Sequence, residues 1–265
     1  MDIWIDQLSF TYPAGVTALQ EVSLKISSGE SVAIIGENGA GKTTLVKHIN
    51  GLLKPTSGQV LVGGWNTREY TVAQLASKVG YVFQNPDDQL FASTVWAEVL
   101  FGPKNIGLTM EQATERADAA LRAVGLIDSA QKHPYDLSIS QRKKVAVASV
   151  LAMQTPMLVL DEPTTGQDHN DTELVGQIVE DLKEQGRTVI TITHDIDFCA
   201  EHFDRVVVMA QGMILLDGPA RDTLIQTEIL AQTHVEPPQL MRLSEQLNMQ
   251  ERPLNVEEFI EFWCP

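Results

Sequence analysis

Residues Gly36-Glu37-Asn38-Gly39-Ala40-Gly41-Lys42-Thr43-Thr44 constrain this chain more than any other stretch. They follow the apolar run Ser31-Val32-Ala33-Ile34-Ile35 and precede Leu45-Val46-Lys47-His48-Ile49, which reads as strand, glycine-rich loop and helix. Every fixed position of the phosphate-binding template G-x-x-x-x-G-K-[ST] is filled. Glycines let the backbone curl until successive N–H groups point inward at a triphosphate. A helix opening near Lys42 adds the positive end of its dipole. On this reading Lys42 reaches the β- and γ-phosphates. The Thr43 hydroxyl ligates Mg²⁺, which takes oxygen ligands in an octahedron.

The rest of the chain supplies a sheet around that loop. Residues 2–8 alternate, with Ile3, Ile5 and Leu8 placed on one face, and Val22, Leu24 and Ile26 alternate again. Val60 and Val62, between Gly58 and Gly63, make another short strand. Half-buried antiparallel strands thus flank the apolar strand that feeds the loop. Buried strands follow at 79–83, 157–160, 188–192 and 206–209. A mainly helical region runs from about Asp87 to Met153, its clearest helix carrying Ala113, Ala117, Ala120, Leu121 and Val124. Leu174, Ile178 and Leu182 mark a further helix. Buried strands alternating with amphipathic helices imply a parallel sheet. From about Arg221 the strands stop. After Pro237-Pro238, Leu240, Leu243 and Leu247 stand at helical spacing, and Phe259, Phe262 and Trp263 close a tail whose aromatics call for burial.

Composition narrows the partners. A net charge of −16 argues against nucleic acid or an anionic lipid surface. No run reaches the about 18 apolar residues that span a bilayer, and the N-terminus lacks the basic and apolar regions of a signal peptide. Cys199 and Cys264 make neither a disulfide framework nor a metal cluster. A cytosolic location is expected.

Two further constellations carry chemistry. Met157-Leu158-Val159-Leu160 ends in Asp161-Glu162, and open α/β sheets bind ligands outside the carboxyl ends of their strands. Asp161 would hold Mg²⁺, directly or through water, and Glu162 would polarise the attacking water as general base. His194 ends strand 188–192 and would hydrogen-bond the γ-phosphate while holding Glu162 and the water in line. Gln84 ends strand 79–83 and would sense Mg²⁺ and the lytic water.

With these residues in this order, the chain resembles an ABC-type ATPase subunit of a membrane transporter over about residues 1–220. The resemblance implies an α/β fold, with a P-loop NTPase ABC ATPase core (a mixed sheet with an antiparallel β subdomain). It adds a helical subdomain at about 87–153 and a small C-terminal helical appendage at 221–265. It implies ATP and Mg²⁺ as cofactors, Tyr12 stacked on adenine, and Asp168 of Thr165-Gly166-Gln167-Asp168 in a D-loop. Gln84-Asn85-Pro86-Asp87-Asp88-Gln89-Leu90-Phe91, Phe101-Gly102-Pro103 and Glu236-Pro237-Pro238-Gln239-Leu240 resemble the energy-coupling factor group, which takes up vitamins and transition-metal ions. That group implies a second ATPase subunit and a transmembrane scaffold subunit met through Asp87 and Asp88. A membrane-embedded substrate-binding subunit is reached indirectly, and the chain sits on the cytoplasmic face of the membrane. Asp87 and Asp88 also read as a helix cap.

One motif departs. Family signatures run close to Leu-Ser-Gly-Gly-Gln and cap the γ-phosphate on the opposite subunit. This chain has Leu137-Ser138-Ile139-Ser140-Gln141, followed by Arg142-Lys143-Lys144. A β-branched Ile139 disfavours φ > 0 and crowds the phosphate. The expectation is a heterodimer, with one good composite site built on Lys42 and Glu162 and one weakened by this signature. The alternatives are another ABC importer class, or a soluble or regulatory ABC ATPase of low turnover.

Overall fold

The computed structural model describes residues 1–249 and 251–263, so Cys264 lies outside the described residues. Two sheets stack around the loop strand. Strands β1 (Ile3–Thr11), β2 (Thr17–Ile26), β4 (Ser57–Val62) and β5 (Trp65–Asn66) pair antiparallel in the order β2-β1-β4-β5. Strands β3 (Ser31–Ile35), β6 (Val79–Val82), β7 (Met157–Asp161), β8 (Thr188–Ile192), β9 (Arg205–Ala210) and β10 (Met213–Pro219) run in the order β10-β9-β3-β8-β7-β6. All neighbours are parallel except β9 and β10.

Side chains alternate across a strand, so β3 serves two cores. Val32 and Ile34 pack with Ile3, Ile5 and Val60 of the antiparallel sheet and with Leu45 of helix α1 (Lys42–Ile49). Ala33 and Ile35 face the opposite cluster, with Val99, Leu121 and Val145. Those residues come from α3 (Val95–Asn105), α4 (Met110–Ala123) and α5 (Ile139–Leu151), which form the expected helical region. Helix α4 starts at a Thr109–Gln112 capping box and buries Ala113, Ala117, Ala120 and Leu121. A short α2 (Val72–Leu75) precedes them, and α6 (His169–Glu184) and α7 (Ile196–His202) cross between the later strands. Cys199, on α7, is fully buried, and burial pushes its thiol well up.

Simple alternation would turn Leu8 away from Ile3 and Ile5. The register shifts between Ile5 and Leu8, where Gln7 adopts φ 48°. That bulge returns Leu8 to the core, fully buried as expected. Strand β10 is an addition to the reading of the sequence. Gln211 (φ 50°) and Gly212 (φ 78°) turn the chain back onto β9, in the two-residue hairpin that favours positive φ at both positions.

The tail forms four short helices, α8 (Ala220–Leu224), α9 (Thr227–Gln232), α10 (Gln239–Gln246) and α11 (Val256–Trp263). Leu224, Leu230, Val235, Met241 and Leu254 join the helix-side core. The expected burial of the tail's apolar stripe does not occur. Helix α10 turns Met241 and Ser244 inward and leaves Leu243 and Leu247 exposed. Phe262 and Trp263 are also exposed and Phe259 is half-buried, because no element among the described residues covers that face of α11.

Candidate nucleotide site

Sheet order brings the chemistry together. Strands β3, β8, β7 and β6 are consecutive neighbours and parallel. Their carboxyl ends therefore align Gly36, His194, Asp161 with Glu162, and Gln84 along one edge. The loop from Gly36 to Gly41 lies there. Gly36 has φ 144°, and a Cβ on it would stand 2.0 Å from the Met209 carbonyl oxygen. Gly41 has φ 98°, and its Cβ would meet the Ala18 carbonyl oxygen at 2.6 Å. Only glycine fits this close approach. Helix α1 opens at Gly41 with no side chain capping its first N–H groups, which leaves them available to an anion.

A cavity of about 330 Å³ follows the loop, bordered by Tyr12, Asn38, Lys42, Thr43, Gln84 and Glu162. Lys42 Nζ donates to the Gly36 and Glu37 carbonyls at 2.7 and 3.0 Å. Burial lowers its pKa, against the pull of Glu162, Asp161 and Glu37. The Thr43 hydroxyl donates to Asp161 Oδ1 at 3.2 Å, and Tyr81 donates to Asp161 Oδ2 at 2.7 Å. Burial, with the Asp161 charge beside it, pushes the Tyr81 phenol far above its usual range. The Thr43 hydroxyl and the Gln84 amide oxygen border this cavity, and with the Asp161 carboxylate that Thr43 touches they are hard oxygen donors, a set that fits Mg²⁺. Tyr12 borders the same cavity. Its hydroxyl lies 3.0 Å from Thr44 Oγ1 and its ring packs edge-on against Phe10.

Glu162 is buried at φ 53°, an uncommon conformation for a non-glycine residue. Its Oε2 accepts from the Thr165 hydroxyl at 3.1 Å and lies 2.8 Å from Nδ1 of the exposed His194. A second cavity of about 710 Å³ opens beyond this pair, walled by Glu37, Gln84, Asp197, His234 and Arg242. His234 Nδ1 is 3.1 Å from Glu37 Oε2, so the tail touches the phosphate loop.

The signature residues stand elsewhere. Ser138 caps α5 and exchanges bonds with Gln141, a complete capping box. Among the described residues, none from Ser138 to Gln141 borders either cavity. The strain expected at Ile139 is absent, because Ile139 and Ser140 are the first helical residues and neither takes positive φ. Ile139 is exposed. Asp168 caps α6 by accepting the Asp171 N–H at 2.9 Å. Asp87 sits in the turn capped by Asn85 and pairs with Arg142 of the same chain at 3.4 Å, while Asp88 stays exposed.

Sequence reasoning missed the roles of three residues. Tyr81 reads as one more apolar strand position, although a hydroxyl inside a buried run signals a buried partner. Thr165 is the second. The third is Gln89, whose Oε1 accepts the Phe83 N–H at 3.1 Å. Its Nε2 donates to the Ala146 carbonyl and Ser149 Oγ at 2.9 and 3.0 Å.

A phosphate loop on a strand end, with two carboxylates on a neighbouring strand end and a second antiparallel sheet, defines a P-loop nucleotide-binding cassette. The chain belongs to the ABC transporter family, whose family model matches residues 19–165. It is 41% identical over 243 residues to the energy-coupling factor transporter ATP-binding protein EcfA of Methanocaldococcus jannaschii, covering 91% of this chain and 87% of that one. It is similar in structure to cbiO1 of Clostridium perfringens, part of the ABC transporter complex cbiONQ, with a TM-score of 0.77 and 33% identity over 93% of this chain and 98% of that one. The cassette MJ0796, in a dimeric post-hydrolysis state bound to ADP and Pi, gives a TM-score of 0.76 at 29% identity, covering 83% of this chain and 99% of that one. Relatives in Methanosarcina acetivorans and Caldanaerobacter subterraneus are 43% and 42% identical, and the chain spans 39% and 44% of their length. No helix among the described residues is long and apolar enough to cross a membrane.

Proposed function

We propose that this chain is the ATP-hydrolysing subunit of an energy-coupling factor type transporter that takes up a vitamin or a transition-metal ion. The observation that carries the reading is Glu162. It is buried at a positive φ and held by His194 and Thr165, beside a phosphate loop. Strain of this kind persists where surrounding structure over-determines it, as at catalytic sites.

Lys42 turns from the loop carbonyls to the β- and γ-phosphates. Glu162 takes a proton from the attacking water, and His194 orients the carboxylate. Thr43, Asp161 and Gln84 would hold Mg²⁺, which when bound neutralises phosphate charge. Tyr12 stacks on adenine. The cassette comprises residues 1–220, and 221–265 form an appendage. The exposed faces of α10 and α11 favour an association role for it, since contiguous exposed apolar surface marks contact sites.

The chain acts in a dimer, in which Ser138 to Gln141 and Asp168 face the nucleotide on the other subunit. A heterodimeric partner with a glycine signature fits this chain's departure at Ile139 and Ser140. The turn at Asp87 and Asp88 meets a transmembrane scaffold subunit at the cytoplasmic face of the membrane. Because Asp87 already pairs with Arg142, Asp88 is the freer of the two for that contact. A membrane-embedded binding subunit chooses the substrate.

Affinity purification of the tagged chain from gently solubilised membranes tests this, with ATP hydrolysis measured on the product. Recovery of a second ATPase and polytopic membrane proteins, with hydrolysis abolished by Glu162→Gln, is the expected result. Ribosomal or DNA-bound partners without membrane proteins would overturn the transport reading.

A further inference from the structure

Ser140 stands where a family signature has its second glycine, and its hydroxyl is occupied. It bonds Asp171 Oδ2, in the first turn of α6. Lys144, four residues on and on the same face of α5, pairs with Asp171 Oδ1. Asp171 is itself buried, and its N–H donates to the Asp168 carboxylate at 2.9 Å. Burial raises the Asp171 carboxyl, but the bonds from Lys144 and Ser140 outweigh this and hold it below its usual range. Between them Lys143 reaches the Thr165 carbonyl and, at 3.4 Å, the Glu162 carbonyl. The first two turns of α5 therefore grip the segment from Glu162 to Asp171 through contacts from Ser140, Lys143 and Lys144. A glycine at 140 would remove one of them and leave a buried carboxylate oxygen short of a donor.

We propose that Ser140 is a positioning residue, whose bond to Asp171 locks the signature helix to the D-loop so that Ser138 and Asp168 present one rigid face to the second subunit. This rests on the dimeric ATPase reading above. The departure from glycine is then a compensated exchange, in which a hydroxyl tether replaces a bare backbone. The lock acts on geometry at the neighbouring nucleotide, so its loss alters the rate of the chemical step more than ATP binding.

The test uses the purified full-length chain in its native complex. Ser140→Ala removes only the hydroxyl and keeps a strong helix former. The expected result is kcat lowered about tenfold with KM for ATP changed less than about twofold. Ser140→Thr should recover at least half of the loss. Asp171→Ala removes the same bond together with the Lys144 pair, so it should lose at least as much as Ser140→Ala, and adding Ser140→Ala to it should cost nothing further. Amide exchange supplies a readout independent of turnover. Ser140→Ala should speed exchange at residues 165–168 as well as at 138–141. Unchanged exchange at 165–168, a kcat at or above wild type, or additive losses in the double variant would each overturn the proposal. Absence of any hydrolysis sensitive to Glu162→Gln in the wild-type complex would instead sink the ATPase reading, with exchange still deciding the lock.

Discussion

The Tyr81 hydroxyl donates a 2.7 Å hydrogen bond to Asp161 Oδ2, while the other oxygen of that carboxylate accepts from Thr43. The carboxylate is aimed from both sides. Its orientation comes from a neighbouring strand as well as from the first turn of α1. Tyr81→Phe keeps the ring against Phe83 and removes one of these bonds. Groups that orient a metal ligand are commonly worth 10- to 100-fold in metal affinity or activity. The expected outcome is an about tenfold rise in the Mg²⁺ concentration needed for half-maximal ATP hydrolysis. Titration of the variant with Mg²⁺ at saturating ATP checks it.

Glu162→Gln separates binding from chemistry. The amide keeps the size of the side chain and can still accept from Thr165, but it cannot take a proton. Loss of a general base lowers the rate by about 10²-fold or more. Binding of a fluorescent ATP analogue should stay within about threefold of wild type. Parallel loss of binding would assign Glu162 to the phosphate cradle instead.

Gln89→Leu strands the Phe83 N–H, immediately before Gln84, while the Ala146 carbonyl keeps its bond from the Ser149 hydroxyl. An unsatisfied buried group costs about 1–3 kcal/mol. Urea unfolding should show a lower midpoint with an unchanged slope. A stability equal to wild type would mean that water replaces the amide.

The tail should loosen in acid. Burial raises the Glu258 carboxyl, but its bonds from Arg221 and the Leu254 N–H prevail and hold it below its usual value. A carboxyl depressed on folding stabilises fully above its unfolded pKa and loses that contribution as pH falls through the folded one. An unfolded glutamate titrates at about 4.3, so cleavage by pepsin after residue 255 should accelerate as the pH falls below that range. Glu258→Gln should cleave at a rate independent of pH over the same window, once corrected for pepsin's own profile.

Much of this was legible because it is local. The loop motif, the capped α4 and the two-sided burial of β3 follow from spacing and from side chains that carry their own signal. The failures share a different cause. Leu8 is buried as expected, but the bulge at Gln7 that puts it there is not visible in the alternation. Strand β10 exposes alternate residues and buries none fully, so its apolar pattern is faint, although Gln211-Gly212 marked the turn. The strain expected of Ile139 belongs to a positive φ that the helix start does not use. The roles of Tyr81, Gln89 and Ser140 depend on partners 80, 57 and 31 residues away, which no window of sequence contains. The tail aromatics read as core because apolarity predicts burial without saying against what.

The Gly36–Gly41 loop has a consequence for synthesis. Its motif is complete by residue 44, yet β3 is flanked by β8 and β9, and Gly212 ties Ala40 to Gln20 through backbone bonds of 3.0 and 2.9 Å. A ribosome that has delivered the first 180 residues has made the motif and none of these supports. Contacts of such separation form late. The nascent chain therefore becomes competent to hold a triphosphate only after most of it has emerged, and a truncation before residue 205 would carry the motif as a loop without a cradle.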